Sequence, residues 1–127
     1  MIDDSYSLQK LHKIIYLIFG GFAILFGTAN LVAPAWLVRE ALASSHLAHN
    51  LREQGAAVIF LGSVAVWCAF NYERSKVIHY LLTLVTFLDA AIHWFDFSQG
   101  RLPLVSPIYN TVPFLIFGVM AFQRSSE

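Results

Sequence analysis

Three side chains in the stretch DAAIHWFD, residues 89 to 96, have the types and the spacing to do chemistry. Asp89, His93 and Asp96 stand at i, i+4 and i+7, so on a helix they fall within about 60° of one face and span roughly 10 Å. A carboxylate and an imidazole that close can carry a proton, and with a cation to orient them they can hold a small acid, a quinone or a lipid headgroup. Arg52 and Glu53 are the nearest charged candidates in the preceding apolar stretch, and Tyr109, Asn110 and Trp94 could line a pocket beside them. The plainer use of the same groups is to tie helices together by ion pairs and hydrogen bonds, and residue types alone do not separate the two.

Other patterns carry less. His79 and His93 are 14 positions apart, about 21 Å along a helix and about 40° around it, a spacing at which two b-type haems could stack. Each haem would need a second ligand, and His12, His46 and His49 all lie outside the apolar stretches. His46 and His49, at i and i+3, are weak metal candidates, because no CxxC or HExxH pattern accompanies them. No GxSxG and no glycine-rich phosphate loop is present, which leaves no signature of hydrolysis or nucleotide chemistry. The aromatic cluster around Trp94 and Tyr109 could stack on a quinone, or could simply belong to an interfacial belt. On this reading no cofactor is required, and an enzymatic role is not the leading expectation.

The elements that must position these groups are dictated by composition. Of 127 residues, 57% are hydrophobic and only 13% charged, with a mean hydropathy of +0.62, a balance that belongs to a membrane protein. Formal net charge is zero and no basic face is visible, which argues against nucleic acid as a partner. The single cysteine, Cys68, sits in an apolar run and reads as a small buried hydrophobe. A spanning helix needs about 20 apolar residues to cover a hydrocarbon core of ~30 Å. Four stretches approach that length: 14–33, ended by Pro34; 54–70, ended by the turn NYERSK; 77–97; and 106–123, opened by Ser106 and Pro107. The first is too long for the h-region of a cleaved signal and is expected to be retained.

These spans predict an all-α fold: a single integral membrane domain over residues 1–127, built as an up-and-down four-helix bundle. Residues 34–53, too polar to cross, are expected to form a short interfacial helix between spans one and two, with Trp36 at headgroup depth. Small residues at heptad spacing, Gly20 and Gly27 in span one and Gly55, Gly62 and Ala69 in span two, predict a close antiparallel contact between those helices. Pro113 cannot donate to the carbonyl of Tyr109 and is expected to kink span four.

An even number of spans puts both termini and the turn at 71–76 on one side. That side carries Lys10, Lys13, Arg74, Lys76 and Arg124, against Arg39, Arg52 and Arg101 on the other, so the positive-inside rule predicts cytoplasmic termini. The polar groups around Asp89 then gather at the extracytoplasmic mouth. A lone carboxylate at that depth costs ~3 kcal/mol or more, so Asp89 is expected to be neutral or to face a partner inside the bundle, with Arg52 and His93 the candidates.

In the stretch LREQGAAVIFLGSVAVW (51–67), with its acid before a Gly-Ala start, together with the proline ending span one and the polar end AAIHWFD of span three, the chain resembles the DoxX-like group of small four-span bacterial membrane proteins. That resemblance implies an up-and-down membrane bundle in the bacterial cytoplasmic membrane. Some members of the group are membrane subunits of a thiosulfate:quinone oxidoreductase, but no catalytic residue of the group maps onto a position here. The functional expectation is an accessory or interaction subunit whose partners are the lipid bilayer and either other membrane subunits or further copies of itself. The alternative is a small-ligand, quinone or proton-handling site on Asp89 and His93.

Overall fold

The computed structural model describes residues 4–125. Among them every long element is helical and no strand occurs, so the all-α class holds. Four helices are long and apolar enough to cross a membrane: α1 (Asp4–Val32), α3 (Ser45–Phe70), α4 (Lys76–Ser98) and α5 (Val105–Ser125). This is the build of a multi-pass membrane protein. The one-turn helix α2 (Pro34–Leu37) lies between α1 and α3, so α1–α5 run in chain order. The described chain divides into two compact units, one ending at Tyr72 and the other beginning at Glu73.

In the first unit α1 and α3 are antiparallel, and glycine brings their backbones together. A Cβ added to Gly20 would meet the Gly62 carbonyl oxygen at 2.7 Å, and one added to Gly27 would meet that of Gly55 at 2.6 Å. The reciprocal positions are as tight, at 2.8 Å from Gly62 to the Gly20 oxygen and 2.6 Å from Gly55 to the Gly27 oxygen. As the α1 number rises from 20 to 27 the α3 partner falls from 62 to 55, which fixes the direction and confirms the heptad pattern as the seam. Lipid tails are as apolar as leucine, so the seam is held by dispersion between close backbones and by weak Cα–H···O contacts. Gly21, next to Gly20 but turned ~100° away, has nothing within 4 Å of an added Cβ.

Both helices of this unit are longer than hydropathy suggests. α1 begins at Asp4 rather than at residue 14, because SLQKLHK is made largely of good helix formers and nothing breaks it. The 34–53 segment is not one helix on the surface. Pro34 opens α2 at its first turn, Val38 is extended, a 3-10 turn covers Arg39–Leu42, and Ser44 caps α3 by accepting from the Leu47 amide at 3.2 Å. Residues 45–53 are therefore the first turns of α3, and Trp36 remains exposed on α2.

In the second unit α4 and α5 are antiparallel and meet through side chains. Phe87 packs on Phe114 with ring centroids 5.2 Å apart, and His79 meets Phe117 edge-on at 5.8 Å. Trp94 Nε1 donates to Thr111 Oγ1 at 2.9 Å, and Thr111 Oγ1 donates on to the Pro107 carbonyl at 2.7 Å. The loop between them starts with Gly100 at φ 69, whose amide donates to the Phe97 carbonyl while the Arg101 amide donates to that of Asp96, both at 2.9 Å. This is a Schellman end, and it is what stops α4. Pro113 lies inside a continuous α5.

Candidate functional site

Four residues of α4 centre on His79, Leu82, Thr86 and Ala90 as its buried stripe. On a helical wheel His93 lies about 25° from the centre of that stripe and Asp89 about 65° from it. The two therefore diverge. His93 is half-buried and its Nδ1 shares a 2.9 Å hydrogen bond with Ser106 Oγ at the start of α5. Asp89 stands on the shoulder of the helix, with its side chain 54% exposed. Its ion-pair contact among the described residues is to His93 Nε2, at 3.9 Å. That separation is too long for a hydrogen bond.

Asp96, one turn further along, is taken by Arg101 Nη1 at 3.1 Å and closes the loop after α4. Asn110 Nδ2 donates to the Ser106 carbonyl at 2.9 Å, so it braces the first turn of α5. Tyr109 is exposed and Trp94 is engaged with Thr111. The structure thus brings Asp89, His93 and Ser106 into one series and spends Asp96, Asn110 and Trp94 on local structure.

On α3, Glu53 pairs with His49 at 3.3 Å, and this i, i+4 pair is exposed on both sides. Such a pair contributes little, ~0.3–0.5 kcal/mol. Arg52 and His46 are exposed. Among the described residues no three His, Cys, Asp or Glu side chains are grouped so as to hold a metal ion.

The most deeply buried polar groups lie elsewhere, and of them the sequence singles out only His79 and His12, as candidate haem ligands. In the first unit His12 Nδ1 shares a 2.6 Å hydrogen bond with the Tyr72 hydroxyl, Lys13 Nζ lies 5.8 Å from the centre of the Tyr72 ring, and Tyr16 and Asn30 are buried on the same face of α1. In the second, Arg124 is 1% exposed and its Nη1 donates to Ser75 Oγ at 3.0 Å. His79 is fully buried, with Nε2 3.0 Å from the Phe117 carbonyl, and Thr83 Oγ1 donates to the same carbonyl at 3.3 Å. A carbonyl only accepts, so this His79 nitrogen carries the hydrogen and would have to leave Phe117 to bind a haem iron. A signal for His12 was available. The glycine stripe of α1, continued toward the N-terminus, passes through Tyr16 and His12 and, in the other direction, reaches Asn30.

Comparison with protein-family models, with characterised proteins and with solved structures gives no match.

Proposed function

We propose that the protein is an accessory or interaction subunit of a larger membrane complex. The observation that supports this most is a half-exposed carboxylate on a spanning helix. Asp89 is two positions past the middle of α4, ~3 Å beyond its centre, and shares its shoulder with the exposed apolar side chains of Val85 and Ile92. An acid left there in acyl chains costs ~3 kcal/mol or more, whereas a neighbouring protein can supply a donor. The rest of the surface agrees with this. Only 17% to 28% of the most apolar window of each spanning helix is buried, which leaves broad lateral faces and little mass outside the bilayer.

The resemblance to DoxX-like proteins, some of which are subunits of a membrane oxidoreductase, points the same way. We place the chain in the bacterial cytoplasmic membrane with cytoplasmic termini, on the five-to-three distribution of Lys and Arg between the two sides. Solubilisation of native membranes in a mild detergent, followed by sizing, tests the reading: an assembly is expected, and a clean monomer counts against it.

A second reading rests on His93, which shares a 2.9 Å hydrogen bond with Ser106 and lies 3.9 Å from Asp89: a turn of its ring that closes the gap to the carboxylate would let the pair exchange a proton with a quinone or another small ligand beside Trp94. Quenching of tryptophan fluorescence by a soluble quinone, abolished by His93→Ala, supports it; quenching that the variant leaves unchanged rejects it.

A further inference from the structure

We infer that the connection between α1 and α3, residues 33–44, is seated in the headgroup layer of the bilayer that those two helices cross, with Trp36 and Leu42 turned into the lipid. This does not depend on the reading of the protein as a subunit. The first ground is the level of the connection. In the glycine seam position 20 of α1 stands opposite 62 of α3, and 27 opposite 55, so the middle of the seam falls between residues 23 and 24. The apolar stretch 14–33 has its middle at the same place. Ala33 lies about 14 Å beyond that point along the axis, where half a hydrocarbon core measures about 15 Å. The chain therefore turns where acyl chains give way to headgroups.

The second ground is how the connection is folded. α2 lies against both α1 and α3, and the 3-10 turn lies against α3, with Pro34 and Ala41 buried. The segment is pressed onto the ends of its own helix pair. Its other side is apolar, with Trp36 86%, Leu42 76% and Leu37 44% exposed. It follows in the chain directly on the end of α1, where Leu31 and Val32 are exposed as well, so the lipid-facing surface of that helix continues into it. A bilayer already stands at this level, and these side chains meet it without any partner being brought to them.

The third ground is the chemistry of the exposed groups. An indole has an apolar body and one N–H that needs an acceptor, a combination served by the interface and by neither water nor acyl chains alone. Among the described residues Trp36 makes no hydrogen bond and no ring contact, which leaves lipid headgroup oxygens as its acceptors. Arg39, exposed between Trp36 and Leu42, places a guanidinium at phosphate level and holds the segment back from the hydrocarbon.

The test reads the depth of Trp36 in the full-length chain, reconstituted in phosphatidylcholine vesicles whose acyl chains carry bromine at a shallow, a middle or a deep carbon. Subtracting the emission of Trp36→Phe from that of the wild type isolates this residue from Trp67 and Trp94. Expected is a loss of the Trp36 emission that is greatest with shallow bromine, together with a smaller loss to dissolved acrylamide than a water-exposed indole shows. Quenching by acrylamide without quenching by bromine would put the connection in water. Quenching by neither would put it under protein, from this chain or from a second copy, and the greatest loss with deep bromine would put it in the hydrocarbon. Each of these three results overturns the inference.

Discussion

The two helix pairs are joined by opposite means. Between α1 and α3 the backbones touch, with glycine facing carbonyl oxygen at four positions, whereas α4 and α5 are held apart by rings and joined by hydrogen bonds from His79, His93 and Trp94. A backbone seam has no slack, because a carbonyl cannot rotate away from an added methyl group. A side-chain seam tolerates change, since each polar contact in lipid contributes only ~0.6 kcal/mol on average. The difference separates tasks: the first pair shows the features of a fixed scaffold, and the second carries the carboxylate that remains half-exposed.

Substitutions should expose that contrast in order of size. Gly27→Val places a side chain 2.6 Å from the Gly55 oxygen and should destabilise the first pair by about 3 kcal/mol or more, read as loss of helicity on titration with denaturing detergent. Gly21→Val, on the open side of the same helix, is the control and should stay within about 0.5 kcal/mol of the wild type. Equal effects at the two positions would break the contrast. His79→Leu removes a buried donor from the Phe117 carbonyl and should cost about 1–3 kcal/mol in the same titration, softened by Thr83, which still donates there. Tyr72→Phe removes the 2.6 Å hydrogen bond to His12 and should cost about 1 kcal/mol. Trp94→Phe keeps an aromatic ring and loses the bond to Thr111, with an expected cost of about 0.6 kcal/mol. A Trp94 effect as large as that of Gly27 would mean that the second seam is as rigid as the first.

Much of the scaffold was legible from residue types alone. Apolar length placed all four spanning helices, and the heptad of Gly20, Gly27, Gly55 and Gly62 marked a contact that the structure contains, because only small residues let backbones approach so closely. Helix ends were less legible. Hydropathy sees where lipid stops, while α1 and α3 continue beyond it through polar residues that favour helix and, at Ser44, through a cap.

The candidate site was legible as a stripe and illegible as an orientation. A step of about 40° separates Asp89 from His93 on the wheel, and that step decides which one turns into the seam with α5 and which one stands on the shoulder. The buried arginine was hidden for a similar reason. Arg124 looks like a charge at a helix end, yet it falls on the same face as Phe117 and Met120, and its Nη1 reaches Ser75.

The outward carboxylate is best tested by the mass of the assembly cut from native membranes in polymer-bounded lipid discs, wild type beside Asp89→Leu. The expected result is a wild-type particle whose protein mass exceeds one 14.3 kDa chain, with the variant reduced to a single chain. A wild-type particle holding one chain alone, or a variant that keeps the full assembly, would contradict it.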